Sequence, residues 1–452
     1  MKSKNDLHRC IMLLLQAVGL LFLVGVYGYY WFYYYSYQIQ LSFWNRGHWL
    51  VISIYAILLF FFMNMYGGLK IGYYRKMEVL FSQIFAVICV NLITYLQVAL
   101  MALGFVVIQP FLRMCLIQFA GSAVWTYLSG RVYRRIYKPR QMLLVHGDRP
   151  IESILEKFAT RRDKYNICKC IQVAEGHEAV CQEIDKGYDA IVLWDMTADE
   201  RNRLWKYCFS KSIRVYAMPK IPDVILKGAD QLHLFDTPIL LTREYVLTVE
   251  QRAAKRVIDI VCSLVLLMIT SPIMVITAIS IKLYDNGPVF YKQIRCTLNQ
   301  REFKILKFRS MRVDAEKDGV ARLAAKDDKR ITPIGRFIRA VRIDELPQLL
   351  NIIAGDMTFI GPRPERPEII AKYMQEMPEF ALRMKVKAGL AGYAQVYGKY
   401  NTTPYDKLKL DLFYMQNYSV WLDVKLMLLT LKILFKPEST EGVEEQQTTA
   451  LK

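Results

Sequence analysis

Met268-Ile269-Thr270-Ser271-Pro272-Ile273-Met274 lies at the centre of an apolar run, residues 257–283, and the reading of that run decides where the rest of the chain lies. The run is long enough to cross a bilayer, which takes about 20 residues. Arg252, Lys255 and Arg256 precede it, and Lys282, Lys292, Arg295, Arg301, Lys304, Lys307 and Arg309 follow it. Positive charge on both flanks conflicts with a simple crossing, because Lys and Arg gather on one face of a membrane. Pro272 removes a backbone donor and clashes with the turn before it, which kinks a helix. Ser271 can re-satisfy a backbone group that the proline frees. A helix that enters, bends at Ser271-Pro272 and returns to the same face satisfies both facts. The alternative is a fifth, kinked span that carries everything after it to the opposite face.

Upstream, four segments are long and apolar enough to span: residues 11–31, 50–65, 79–107 and 114–132. The cluster Tyr29-Tyr30-Trp31-Phe32-Tyr33-Tyr34-Tyr35 fits an interfacial aromatic belt, or packing between helices. Of the formal charge of +19, +11 lies in residues 1–140, with thirteen Lys or Arg against Asp6 and Glu78. Such a balance suits nucleic acid or an anionic membrane face. Here the basic residues flank apolar runs, so the membrane is the expected partner and nucleic acid is not. Lys2, Lys4 and Arg9, then Lys70, Arg75 and Lys76, then Arg131, Arg134, Arg135, Lys138 and Arg140 place both ends of this four-span region in the cytoplasm. The spans carry no deep Asp, Glu, Lys or Arg, so they read as an anchor rather than a transport path. The Lys-rich start followed by apolar residues resembles a signal peptide, but without a cleavage site it reads as a retained anchor. The nine cysteines form no C-x-x-C pair and read as reduced thiols.

Residues 141–246 alternate short apolar strands (141–146, 189–194, 213–218) with helical patterns (151–161, 198–208), which predicts a small Rossmann-like parallel sheet covered by helices. Its first turn, His146-Gly147-Asp148-Arg149-Pro150, lacks G-x-G-x-x-G, so it does not read as a dinucleotide site. A regulatory or dimerising module is expected, which adds a homodimer to the partners considered.

Residues 284–437 gather charge, Gly and Pro into short clusters. Within them Arg342-Ile343-Asp344-Glu345-Leu346-Pro347-Gln348 holds adjacent carboxylates, flanked by Arg336, Arg339, Arg342 and Arg363. Guanidinium forks match phosphate oxygens. A carboxylate can attack phosphorus to give an acyl phosphate, and Mg²⁺ is commonly held by one or two carboxylates together with substrate phosphates. One carboxylate would then attack while the other holds metal. Pro347 suits an early helical position, placing the pair near a helix N-terminus that favours anions. Read in isolation, Asp-Glu-Leu-Pro is an ordinary helix start with surface ion pairs.

Taken in order, Lys307-Phe308-Arg309-Ser310-Met311, Asp344-Glu345-Leu346-Pro347-Gln348, Gly361-Pro362-Arg363-Pro364 and Ala394-Gln395-Val396 resemble the bacterial sugar transferases, also called monotopic phosphoglycosyl transferases, over roughly residues 252–436. The spans and the α/β segment ahead of them resemble the long form of that family. The resemblance implies a membrane α-helical N-terminal bundle (1–140), a Rossmann-like module (141–246) and a mainly α monotopic catalytic domain with a re-entrant helix (247–436); residues 437–452, polar throughout, read as a disordered tail. It implies transfer of a sugar-1-phosphate from a UDP-sugar to undecaprenyl phosphate at the cytoplasmic face of the bacterial inner membrane, as the first step of polysaccharide assembly. Asp344 is then the nucleophile and Glu345 the Mg²⁺ ligand. Arg339, Arg363 and Pro364 belong to the phosphate and substrate contacts. Lys307 and Arg309 are phosphate or structural partners, Ser271 and Pro272 break the re-entrant helix, and Asp411, Tyr414 and Asp423 are mostly structural. Departures from the family pattern fall at Arg295-Cys296-Thr297, Lys387-Ala388-Gly389, Tyr393-Ala394-Gln395 and Gly398-Lys399, and bear on substrate contacts and loop rigidity rather than on the acidic pair. A membrane sensor with a degenerate second half would not need the intact acid pair and its arginines. A multi-span glycosyltransferase without a covalent intermediate would place its site among several membrane helices, a pattern absent here.

Overall fold

The computed structural model describes residues 2–39, 45–242, 246–312, 328, 330–398 and 402–434. The chain divides into two compact units, Met1–Met218 and Pro219–Lys452. The expected tail lies outside the described residues.

The first unit begins with four long apolar helices: α1 (Lys2–Tyr30), α2 (Asn45–Tyr66), α3 (Lys76–Met101) and α4 (Ile108–Ile136). Each is long and apolar enough to cross a membrane. α3 stops at Met101, short of the expected 107, because the chain turns at Leu103 (φ 53°) and Gly104 while its hydropathy continues unbroken. α4 starts before the expected 114, with Pro110 in its first turn, where a missing N–H costs nothing. The aromatic cluster extends α1 as a π-helical turn, Trp31–Tyr35, and divides between two roles. Trp31 and Tyr35 are buried, while Tyr29, Tyr33 and Tyr34 are exposed. Inside the bundle the Tyr55 hydroxyl donates to Asn91 Oδ1 (2.9 Å), Asn91 Nδ2 to Gln118 Oε1 (2.8 Å), and Gln118 Nε2 back to the Tyr55 oxygen (2.8 Å). This closed ring ties α2, α3 and α4 without leaving its polar groups bare in an apolar surround.

β1 (Arg140–His146), α5 (Glu152–Ala159), β2 (Tyr165–Gln172), α6 (His177–Ile184), β3 (Ala190–Trp194), α7 (Ala198–Ser210) and β4 (Arg214–Ala217) complete the first unit. They form a wholly parallel sheet in the order β2-β1-β3-β4. β2 and α6 were not anticipated. β2 is an edge strand whose Asn166, Cys168 and Lys169 are exposed, so its sequence carries no continuous apolar run. At Gly147 a Cβ would sit 1.9 Å from the Asp195 carbonyl oxygen, so this glycine serves the close approach of two turns.

The second unit opens with α8 (Ile221–Lys227) and a hairpin, β5 (Asp230–Leu234) and β6 (Thr237–Leu241). Ile221 and Val224 of α8 join its core, although this stretch reads in the sequence as part of the α/β module. α9 (Val249–Asp285) follows, a continuous helix of 37 residues that contains Pro272. At 1.5 Å per residue it is about 55 Å long. Ser271 Oγ donates to the Met268 carbonyl at 3.0 Å, the very acceptor that Pro272 deprives of its helical partner. The start of α9 is locked to the unit by Lys255, which reaches Asp423 Oδ2 (2.5 Å) and the Ile360 carbonyl (2.8 Å), and by Asp259, which accepts from Thr358 Oγ1 and Phe359 N (2.9 Å each). Its end is locked to the same unit by an Asp285–Arg309 ion pair and by Ile281 against Phe308 and Ile338.

β7 (Phe290–Cys296) and β8 (Glu302–Phe308) then form an antiparallel hairpin. α10 (Pro333–Ala340), a 3₁₀ turn (Ile343–Glu345), α11 (Gln348–Ala354), β9 (Thr358–Ile360) and α12 (Pro367–Glu376) lead to a second 3₁₀ segment (Pro378–Lys385). β10 (Gly389–Ala391), parallel to β9, α13 (Tyr393–Tyr397), α14 (Pro404–Gln416) and α15 (Val420–Leu434) close the unit. Its core includes Phe303, Ile305, Leu349, Ile352, Phe359 and Leu408. Where the chain leaves β9, backbone meets backbone. A Cβ at Gly361 would lie 2.4 Å from the Lys387 carbonyl oxygen, and one at Gly392 2.2 Å from the Gly361 oxygen.

Candidate active site

Three pieces of chain converge on the turn that bears the acidic pair. β8 carries Lys307, α10 carries Arg339, the 3₁₀ turn carries Asp344 and Glu345, and the loop leaving β9 carries Arg363. The turn is set by Arg342, which adopts a left-handed conformation (φ 59°, ψ 21°) directly before it. Such a conformation is costly for a side-chain-bearing residue, and holds only where neighbours fix it. Pro347 sits at the N-cap of α11, so the carboxylates lie on the turn just ahead of that helix rather than within its first residues. Asn351 of α11 bridges to β8: its Oδ1 accepts from Leu306 N and its Nδ2 donates to the Lys304 carbonyl, both at 2.9 Å. The strand bearing Lys307 and the helix after the acid pair are thereby held in one register.

The two carboxylates have opposite surroundings. Glu345 Oε1 accepts from Lys307 Nζ (3.1 Å) and Arg363 Nη2 (3.0 Å), and its Oε2 lies 3.7 Å from Arg342 Nη1. Burial alone would raise its pKa, but Lys307, Arg363 and Arg342 together more than offset that and hold it well below the usual carboxylate range. Asp344 is buried and makes no hydrogen bond among the described residues. Burial, then the charge of Glu345, push it up to about 6, against the opposing pull of Lys307, Arg339 and Arg342. The Lys307 ammonium is itself lowered by burial, while Glu345 raises the Arg363 guanidinium. Among the described residues Arg339 Nη1 and Gln348 Nε2 are buried donors without a hydrogen-bond partner, and Arg339, whose charge acts on Asp344, is one that an incoming anion would satisfy.

Lys307, Arg339 and Arg363 are therefore brought to the acidic pair. Arg309 is not: it is buried and spent on Asp285 at the end of α9, the structural of its two expected roles. Pro364 contributes its carbonyl, which accepts from Arg295 Nη1 (3.1 Å). Ser271 and Pro272 lie within α9, as described above. Two supporting residues, Arg383 and Asn351, carry no sequence signal, whereas Asp411 has the structural role expected of it. Arg383 donates to the Arg363 carbonyl (3.1 Å) and pairs with the buried Asp411 (2.9 Å), so a buried ion pair grips the backbone whose side chain grips Glu345. Tyr414 donates to Asp423 Oδ1 (2.7 Å) beside Lys255, a buried cluster that anchors α9.

Among the described residues no group of three or more His, Cys, Asp or Glu side chains converges as a cation cage. Mg²⁺ does not need one where phosphates complete its shell. Among the described residues Glu345 Oε2 accepts no hydrogen bond and has only the longer Arg342 contact, so the carboxylate fits a hard cation shared with a diphosphate.

A profile of the family described as "Bacterial sugar transferase" matches residues 250–437. The UDP-N-acetylgalactosamine-undecaprenyl-phosphate N-acetylgalactosaminephosphotransferase of Aeromonas hydrophila is 36% identical over 255 residues, which cover 55% of this chain and 59% of that protein. The UDP-glucose:undecaprenyl-phosphate glucose-1-phosphate transferase of Caulobacter vibrioides is 37% identical over 190 residues, 41% of this chain and 71% of that one. The uncharacterized sugar transferase EpsL of Bacillus subtilis is 37% identical over 191 residues, 42% of this chain and 90% of that one. The chain thus spans less than two thirds of the Aeromonas protein and most of the two others.

Proposed function

Because the chain belongs to the bacterial sugar transferase family, we propose that it transfers a sugar-1-phosphate from a UDP-sugar to undecaprenyl phosphate, in two displacements at Asp344. An Asp344 carboxylate oxygen attacks the phosphorus that bears the sugar. The bond from that phosphorus to the UMP oxygen breaks, UMP leaves, and an aspartyl-phosphosugar remains. A phosphate oxygen of undecaprenyl phosphate then attacks the same phosphorus, the carboxyl–phosphorus bond breaks, and Asp344 is restored as sugar diphospholipid departs. Such products begin exopolysaccharide, capsule or O-antigen assembly.

The observation that carries this reading is the asymmetry of the pair. Two adjacent carboxylates whose surroundings drive their protonation in opposite directions have different tasks. Glu345, saturated with cations, stays an anion and keeps Lys307 and Arg363 in place. Asp344, without a hydrogen bond to blunt it, is the better nucleophile. Lys307, Arg339 and Arg363 stabilise charge on the transferring phosphoryl oxygens. Glu345, through Oε2, would hold Mg²⁺, which when bound neutralises the diphosphate.

Both ends of α9 dock on one unit, which supports a re-entrant path with the catalytic unit on a single face, the cytoplasmic one where UDP-sugars are made. The five apolar helices suit residence in the bacterial inner membrane. Incubating the membrane-reconstituted protein with undecaprenyl phosphate and a panel of UDP-sugars should release UMP with at least one sugar. Asp344→Ala should abolish release and any radiolabelled protein adduct. Adduct and turnover surviving in that variant would overturn the nucleophile.

A further inference from the structure

At one end of the helical bundle, where Lys70 also lies over the rings of Tyr73 and Tyr74, Lys76, Arg131 and Lys164 rest on tyrosine rings and, among the described residues, on no acid. Arg131 of α4 lies 4.7 Å from the Tyr127 ring centroid, and Lys76 at the start of α3 lies 5.8 Å from the same ring. The Lys76 stem crosses Gly130, where a Cβ would come within 3.1 Å of it. Lys164, from the loop between α5 and β2, lies 5.1 Å from the Tyr73 ring and 5.2 Å from that of Tyr165. Tyr73 belongs to the short loop between α2 and α3, at the very end of those helices. Arg161 locks the two loops together, donating to the carbonyls of Gly72 (3.0 Å) and Tyr73 (2.5 Å). The α/β module therefore delivers Lys164 to the level at which the apolar helices end.

The nearby acids are already engaged. Asp163 pairs with Arg161 (3.0 Å), and Glu78 accepts from Arg75 N at the start of α3 (3.2 Å). Lys76, Arg131 and Lys164 make no ion pair among the described residues. Burial, then the charge of Arg161, depress the Lys164 ammonium, as expected of a cation crowded by others. A ring face steadies a cation without cancelling its charge. Alongside lie the exposed apolar side chains of Met77, Val124 and Leu128. Cations framed by tyrosines, next to lipid-facing apolar surface, complement an anionic headgroup with its acyl chain beside it.

We propose that Lys76, Arg131 and Lys164, framed by Tyr73 and Tyr127, bind the phosphate headgroups of anionic phospholipids, and that this contact fastens the α/β module to the bundle. A lipid headgroup is favoured over soluble phosphate by the apolar flank, which only an acyl chain would cover.

The test uses the full chain in nanodiscs of phosphatidylcholine alone or of phosphatidylcholine with phosphatidylglycerol, reading hydrogen exchange at residues 160–165. Phosphatidylglycerol should slow exchange about fivefold in the wild type and in Lys164→Arg, and leave Lys164→Gln unchanged. Equal exchange of the wild type in the two lipids would overturn the proposal. So would equal protection of Lys164→Gln and wild type. Loss of the effect in both variants would assign Lys164 to packing alone. Protection reproduced by inorganic phosphate in phosphatidylcholine discs would assign the site to a soluble anion and overturn the lipid reading.

Discussion

At Asp344 and Glu345 the electrostatics make opposite demands on stability. Asp344 binds its proton more tightly in the folded chain, at about 6 against a reference of 3.8. Between those values the folded state holds more protons than the unfolded one, so this residue makes stability fall as pH rises through that window. At neutral pH its charge is a burden. Asp344→Asn should therefore raise stability, on the order of 2 kcal/mol, while abolishing transfer. Glu345→Gln should do the reverse, costing about 3 kcal/mol because Lys307 and Arg363 lose their counter-charge. Thermal unfolding of the two variants checks both signs, and matching shifts would count against the division of roles. The same carboxyl sets the pH profile. Since only ionised Asp344 attacks, kcat/KM for UMP release should climb as pH rises through about 6. A profile flat across that value would mean another group carries the reaction. The identity of the pair was legible in the sequence, from acids among arginines. Its asymmetry was not, because that depends on Lys307 and Arg363 arriving from residues 38 and 18 positions away.

Elements, rather than residues, decide whether those cations arrive. β8 reaches the acidic turn because Asn351 pairs with both the N–H of Leu306 and the carbonyl of Lys304. Asn351→Leu keeps the volume and removes both bonds. It should cost about 2 kcal/mol and lower kcat about tenfold, since Lys307 loses its fixed register to Glu345. Denaturant titration and steady-state kinetics separate the two effects; an unchanged kcat would show that β8 is held by its core side chains alone. Periodicity found the elements that bury a continuous face, such as β1 and β3. It passed over β2, whose outer position leaves polar residues in the strand, and it carried α3 through a turn that hydropathy does not mark. α8 was placed with the α/β module by adjacency in sequence, yet Ile221 and Val224 find their core partners around α14, nearly two hundred residues on. Such pairings are long-range choices that no local window contains.

For the molecule as a whole, the deciding question is on which face α9 leaves the bilayer. A helix of about 55 Å exceeds the roughly 30 Å hydrocarbon core, so length alone permits a crossing with both ends in water. The contacts at its two ends support the re-entrant path proposed above instead. Lys255, Arg256 and Asp259 near its start bind the carbonyl of Ile360, those of Ile352 and Ile353, and Thr358. Asp285 at its end binds Arg309 of the segment after β8. A straight crossing would put α11 and β8 on opposite faces, although Asn351 joins them by two hydrogen bonds. On the re-entrant path proposed above, the exposed apolar middle of the helix, Leu264 to Ile276, dips into the bilayer and returns, with Ser271 covering the carbonyl that Pro272 frees. With four spans ahead of α9 and a basic N-terminus, the chain after it should lie on the same side as its start. Green fluorescent protein fused after Leu434 should fluoresce, and alkaline phosphatase fused at the same point should be silent. An active phosphatase fusion would make α9 a fifth span, and the acidic pair would then lie away from any cytoplasmic nucleotide sugar.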